Sequence, residues 1–278
     1  MIFYRRKVKI NSKSNTLFNQ GPGCMLHLPL SGKKRVGGCI LFSLIVFIVL
    51  SSRSVFAFTV PEKLVFDLTW TGVKAGTATL EIVNEKGNTR IISTARSADW
   101  VSVFYTVDDR TEAVLKNAKV PILIGLPVNY RIKLKEGRHR RDKEVIFDHA
   151  NRQAIYINHL ENGKKTYKIS ENILDPLSSF YYVRTLNFEV GKSLYVNVFD
   201  SKKLWNVEVQ VLRREKIRTE LGEFNTVVIK PLMKSEGIFN KKGDIYIWLT
   251  DDQKRIPVKM QSRVAVGSIT ATLVGGMY

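Results

Sequence analysis

Cysteine is nearly absent from this chain. Cys24 and Cys39 are the two, and no residue beyond Cys39 carries a thiol. Whatever folds downstream holds together without disulfides or cysteine-ligated metal, and the 221 residues from Phe58 to Tyr278 are enough to bury a core unaided. Histidine is almost as scarce. His139, His149 and His159 stand alone at ten-residue spacing, without the i, i+2 or i, i+4 pairs that bring imidazoles to one metal. They read as solvent-facing turn and strand residues, so no metal or cofactor is expected. The G-x-S-x-G elbow, the P-loop and the H-E-x-x-H helix are missing too. Asp108 and Asp109 alternate along a strand and point to opposite faces, which rules them out as a catalytic pair. Asp251-Asp252, in WLTDDQKRIPV, sits where a hairpin reverses. Together these absences point to a non-enzymatic protein.

Acidic residues are missing from the first 57 positions, which hold nine Lys/Arg. Within them Cys39–Leu50, CILFSLIVFIVL, is an apolar run of twelve, well short of the about 20 residues a spanning helix needs. Lys33-Lys34-Arg35 precedes the run and Val55-Phe56-Ala57 follows it. A charged region, an apolar region and a small-residue cleavage site make a secretory signal. Cleavage is expected after Ala57, leaving 58–278 as a single β-rich exported domain in the periplasm. The alternative is an inner-membrane anchor over 36–57. Met25 would give a leader of more ordinary length, with 1–24 untranslated. Cys39 precedes the apolar run and is wrongly placed for a lipoprotein cysteine. Removing the nine leader cations lowers the formal charge from +19 to +10. The remainder is basic enough to favour anionic partners such as lipid headgroups or acidic polysaccharide, and an exported protein does not meet nucleic acid.

From Phe58 onward the pattern has a period of two. Strands are expected over Leu64–Trp70, Ala75–Ile82, Arg90–Ala98, Val107–Leu115, Tyr130–Lys135, Arg138–Phe147, Gln153–Leu160 and Lys165–Ile169. A second group runs over Ser193–Asp200, Leu204–Leu212, Thr226–Pro231, Asp244–Leu249, Pro257–Val264 and Ser268–Val274. Small residues in Ala75–Ile82 allow another backbone, or a ligand, to approach closely. Asp99–Tyr105 reads as an apolar loop or short helical turn, and Lys119–Pro127 as an apolar connector.

One stretch is helical. In Ile173–Leu186, ILDPLSSFYYVRTL, Asp175 is a good N-cap and Pro176 fits the first helical position. Leu174, Leu177 and Tyr181, with Phe180 beside them, make one side apolar. The fold class expected is mainly β: a strongly curved antiparallel sheet or open barrel, with this helix on its concave side. Trp70, Leu177, Phe180, Tyr181 and Arg184 are the candidate cavity residues. For Arg184, near the helix C-terminus where a cation complements the dipole, a structural ion pair is the favoured role. If Glu136-Gly137 is a two-residue turn, Lys135 faces Arg138, Lys133 faces Arg140 and Arg131 faces Asp142, while Arg141 lies opposite Ile132. Opposed cations cost stability, which makes Lys133, Lys135, Arg138, Arg140 and Arg141 a candidate anion-binding surface. The bland reading is a solvated edge that discourages aggregation. Lys164-Lys165, Lys202-Lys203 and Lys241-Lys242 are plain turns unless the tips gather at one end.

The pieces AGTATL at Ala75–Leu80, DPLSSFYYVR at Asp175–Arg184 and LGEFNT at Leu221–Thr226 follow in order. IWLTDDQKRIPVK at Ile247–Lys259 and GSITATL at Gly267–Leu273 complete the series. Together they resemble the bacterial exported family labelled domain of unknown function 3108, over nearly all of 58–278. The resemblance implies a β-rich envelope protein of no established activity. A more distant likeness is to lipoprotein carriers of the LolA/LolB type, whose open, strongly curved sheet is closed by helices over an apolar cavity. Two readings follow: a non-enzymatic periplasmic protein binding a lipid or other amphiphile in its sheet, or an envelope interaction module with a solid core and a protein partner.

Overall fold

The computed structural model describes residues 59–116, 124–232, 244–263 and 267–278, which lie in one compact unit, Ser52–Tyr278. The expected leader, most of the Lys119–Pro127 connector and the Lys241-Lys242 tip fall outside the described residues. Among those residues no helix is long and apolar enough to cross a membrane.

Alternation of apolar and polar side chains produces fourteen strands. The first meander is β1 (Glu62–Trp70), β2 (Val73–Glu85), β3 (Asn88–Ser97), β4 (Asp108–Lys116), β5 (Leu126–Glu136), β6 (His139–Asp148), β7 (Gln153–Asn158) and β8 (Gly163–Lys168). The second is β9 (Ser193–Asp200), β10 (Lys203–Thr219), β11 (Gly222–Pro231), β12 (Ile245–Thr250), β13 (Pro257–Arg263) and β14 (Ser268–Met277). A single turn, α1 (Asp99–Ser102), joins β3 to β4, and α2 (Pro176–Arg184) lies between the meanders. All strands form one antiparallel sheet in the order β8-β7-β6-β5-β4-β3-β2-β1-β14-β13-β12-β11-β10-β9. Because each ladder is antiparallel, every connection leaving an odd-numbered strand lies at one end, called upper below. Those leaving even-numbered strands, including the one that holds α2, lie at the lower end.

Among the described residues no ladder closes the sheet, yet it curls until its two edges meet. Tyr167 of β8 stands 5.6 Å from Phe199 of β9 between ring centres, and Phe147 of β6 meets the same ring edge-on at 6.1 Å. Leu174, just before α2, donates to Asn197 O (3.1 Å) and accepts from Phe199 N (2.8 Å). That single parallel bridge to Val198 covers part of the open β9 edge. α2 touches β9 on one side and β3 and β4 on the other. Strands so far apart in the order can flank one helix only from the concave face.

α2 is shorter than the expected Ile173–Leu186. Asp175 keeps an extended backbone before Pro176, as the clash of a proline ring with the preceding residue requires, and Leu174 is committed to β9. The start of the helix is a reciprocal cap. Asp175 Oδ1 accepts from Leu177 N (2.8 Å) and Ser178 N (3.1 Å), while Ser178 Oγ accepts from Asp175 N (3.1 Å).

The core is built in rows across the inner face. Ile82, Ile91, Ala113, Tyr130, Val145 and Tyr156 are successive register partners from β2 to β7, and all are buried. One hairpin departs from the expected register. Glu136 pairs with His139, so the two-residue loop is Gly137-Arg138. Gly137 supplies the positive φ of +55° that a turn with glycine at its first central position needs.

Candidate functional site

Moving up from that buried row, the side chains shrink. The next register set is Leu80, Ser93, Thr111 and Ile132, and the one above it is Ala78, Ala95 and Asp109. A sheet of fourteen strands encloses more space than side chains and one short helix fill, so small residues here leave a hollow. One volume of about 250 Å³ lies between Phe66, Ala78, Leu80, Ala95 and Ala271 on the sheet and Leu177 and Phe180 on α2. A second, of about 170 Å³, lies on the other side of Phe180 against Val196, Val198, Val207 and Val209. Phe180, Pro231, Ile245 and Ile247 line both, so one aromatic ring stands between two adjoining apolar spaces.

A third volume, about 380 Å³, sits at the upper end between Trp70, Ala75, Arg96, Val101, Tyr105 and Ile269. Leu68 is shared with the 250 Å³ volume, which makes it the partition between them. Trp70 and Tyr105 are both partly exposed, so this space meets solvent.

The electrostatics divide along the same line. No ionisable side chain lines the two volumes beside α2. Near the upper end, burial pushes the Asp109 carboxyl up to about 6 and Glu136 adds to the shift, against the Lys135 N–H donated to Oδ1 at 3.0 Å. Burial first, then Glu136 and Asp109, raise the Tyr105 phenol. Of these groups Tyr105 lines the upper volume, while the space below is mostly apolar, with only uncharged Thr79, Ser93, Thr94 and Ser179 among its polar lining.

The five candidate cavity residues are placed in three settings. Leu177 and Phe180 line the space beside the sheet, and Trp70 lines the upper volume. Tyr181 and Arg184 line none of these three volumes. Arg184 forks onto Glu62 with NH1–Oε1 at 2.7 Å and NH2–Oε2 at 2.8 Å. It also donates to the carbonyls of Arg255 (3.0 Å) and Lys254 (3.1 Å), and its guanidinium lies 4.9 Å from the centre of the Tyr181 ring. This buried pair ties the C-terminus of α2 to β1 and to the β12–β13 turn, the structural role favoured from its position.

The candidate anion surface is also rearranged by the hairpin register. Lys133 faces Asp142, Lys135 faces Arg140 and Arg131 faces Glu144, so one directly opposed cation pair remains instead of two. Arg131 reaches diagonally to Asp142, NH2–Oδ1 2.9 Å. Lys133, Lys135 and Arg140 are exposed on the outer side and Arg138 is at the turn. Arg141 pairs with buried Leu134, which puts it on the inner side, where its charge acts on Asp109. Asp251 and Asp252 are occupied by the turn: Asp252 Oδ1 accepts from Lys254 N (2.9 Å) and Arg255 N (3.1 Å), and Asp251 pairs with Arg214 (2.7 Å). His159 pairs with Glu144 (2.8 Å), and His149 stacks on Phe147.

The lining residues missed from sequence include Phe66, Ser93, Ala95, Met260 and Ala271. Each is unremarkable on its own strand, and only cross-strand register assembles them. The small residues of Ala75–Ile82 did carry a signal. Ala78 lines the hollow, and a Cβ on Gly76 would overlap the Arg96 carbonyl, so backbone approach and ligand space both occur there.

An open, barrel-like antiparallel sheet with an apolar interior and one helix inside it defines the class of this protein. Within that class the chain belongs to the family described as "Protein of unknown function (DUF3108)", whose model matches residues 65–274. Among solved structures it is similar to a "Beta-barrel-like Protein of Domain of Unknown Function DUF1849 from Brucella abortus", at 13% identity and a TM-score of 0.49, over 79% of this chain and 98% of that one. No curated protein matches it.

Proposed function

We propose that this is a non-enzymatic protein of the cell envelope that holds the apolar part of a lipid or other amphiphile between its sheet and α2. The observation that carries this reading is the pair of adjoining apolar spaces on either side of Phe180, walled by strands from both meanders. Taken together, their volumes of about 250 and 170 Å³ reach the several hundred Å³, mostly apolar, of ligand sites, and the upper volume adjoins them at Leu68. A wall without ionisable groups supports binding and offers no acid or base for a reaction. The basic leader with its short apolar run and Val55-Phe56-Ala57 supports export to the periplasm. The hollow interior counts against a module with a solid core.

The test is displacement of a fluorescent fatty acid from the purified unit. Saturable uptake, reversed by unlabelled lipid, is expected. Absence of uptake across acyl chain lengths and headgroups would overturn the proposal.

A further inference from the structure

We propose that the upper end of the molecule docks reversibly on the surface of an anionic lipid bilayer, with Val103 and Phe104 as an inserting prong and the β5–β6 hairpin as its cationic rim. The prong follows α1. Val103 is 76% and Phe104 85% exposed, values that leave almost the whole side chain in water. Trp70, Val73, Trp100 and Tyr105 are exposed around it, at the end of β1, the start of β2 and in the β3–β4 connection, all at the same end. The prong is held firmly. Val103 N donates to Asp99 O (3.3 Å) and Tyr105 N to Val101 O (2.7 Å), while Trp100 Nε1 donates to Lys74 O at 3.0 Å. That last bond fastens α1 to the start of β2.

The cations are fixed beside it by the backbone. Gly137 N donates to Thr106 O at 2.8 Å, and the Tyr105 ring packs so closely over Gly137 that a Cβ there would clash at 2.7 Å. Arg138 and Arg140 therefore stand next to the prong. Arg140 turns its guanidinium to the carbonyls of Gly137 (2.7 Å) and His139 (2.8 Å), leaving its positive charge uncompensated by those contacts. Lys164 at the start of β8 and Lys202-Lys203 at the β9–β10 turn sit at the same end, so the described lysine tips gather there. Exposed acids stand at this end as well, Asp99 in the β3–β4 connection, Asp108 at the start of β4 and Glu161 between β7 and β8, so the cationic rim is the β5–β6 hairpin itself, where Lys133, Lys135, Arg138 and Arg140 are exposed.

Charge complementarity and shape select a bilayer over a protein. A stable protein interface needs roughly 800 Å² from each partner, and a prong of two side chains does not supply that. Interfacial binding needs only a few apolar side chains at the headgroup–acyl boundary together with cations near an anionic surface. Tryptophan and tyrosine favour that boundary because one edge of the ring is polar. The 380 Å³ volume, with Trp70 and Tyr105 in its wall, opens inside the ring of exposed aromatics. An amphiphile could then pass between bilayer and hollow without its chains crossing water. Docking concerns the outer surface alone and does not require the hollow to be occupied.

Flotation of the compact unit Ser52–Tyr278 with vesicles tests this, using phosphatidylcholine alone and phosphatidylcholine with about 30% phosphatidylglycerol. Binding to the anionic vesicles, weakened by salt, is expected, with blue-shifted tryptophan emission quenched by brominated acyl chains. Val103→Asp/Phe104→Asp should reduce binding about tenfold or more, with an unchanged melting curve because neither side chain is buried. Arg138→Ala and Arg140→Ala should each weaken it about fivefold. Wild type that fails to float with anionic vesicles, or a prong variant that floats equally well, overturns the proposal. So does a prong variant that changes only the oligomeric state in sedimentation, which would mark the patch as a contact between copies. Fatty-acid displacement in these variants should match wild type, so failure to dock and failure to bind an amphiphile are told apart.

Discussion

Replacing Arg184 with methionine tests how α2 is held in place. The side chains of Arg184 and Glu62 are 0% and 1% exposed, so the pair receives no help from water. Removing the cation strands a carboxylate in the core, a loss of about 3–5 kcal/mol for a broken buried pair. The Lys254 and Arg255 carbonyls also lose their donor, which places Arg184→Met toward the upper part of that range. With a urea slope of about 2 kcal/mol per M, the midpoint should fall by about 2 M. Glu62→Gln keeps one acceptor for the guanidinium and should cost less, about 3 kcal/mol. Glu62→Leu/Arg184→Met leaves no buried charge and should return to within about 1–2 kcal/mol of wild type. Urea titrations followed by circular dichroism measure all of these. A single variant costing under about 1 kcal/mol, or a double variant costing the sum of the singles, would refute a dry, mutually dependent pair.

Ala95→Phe should fill the space between β3 and α2, abolishing fatty-acid uptake while shifting stability by under about 1–2 kcal/mol; the displacement assay and a melting curve read both. Burial holds the Asp175 carboxyl at about 6, against the hydrogen bonds of Ser178 and Leu177, from an ordinary 3.8. The folded chain therefore binds more protons than the unfolded chain between those values. Stability is full below about 4, falls as pH rises through about 6, and the loss reaches up to about 3 kcal/mol. Urea midpoints at pH 4.5 and 7.5 should differ less in Asp175→Asn, the remaining slope belonging to Asp109, which shifts the same way. Gly76→Ala should destabilise by about 2 kcal/mol or more, since the Arg96 carbonyl of β3 cannot retreat without breaking the ladder; thermal unfolding measures it.

All fourteen strands were legible because one face is buried and one wetted, which writes a period of two into the chain. The limits were blurred where charge interrupts the pattern. β10 runs to Thr219 through RREKIRT, seven residues beyond the expected Leu212, because its ladder with β11 continues past the core. α2 was legible from Asp175-Pro176, whose cap and ring geometry are local. The hairpin register was not, since Glu136-Gly137 and Gly137-Arg138 are equally good turns by composition; burial of Glu136 decides between them, and burial is tertiary. Leu177 and Phe180 were found from helical spacing, but the hollow they face depends on Ala78, Ala95 and Ala271 meeting from three strands. Glu62 as partner of Arg184, 122 positions away, had no local signature.

The most direct measurement is the lipid content of the protein as it comes from cells. Organic extracts of wild type and Ala95→Phe, quantified by mass spectrometry against protein, should show a discrete amphiphile retained by wild type and depleted in the variant. Equal amounts in both, or none in either together with no uptake in the displacement assay, would contradict a ligand held between the sheet and α2.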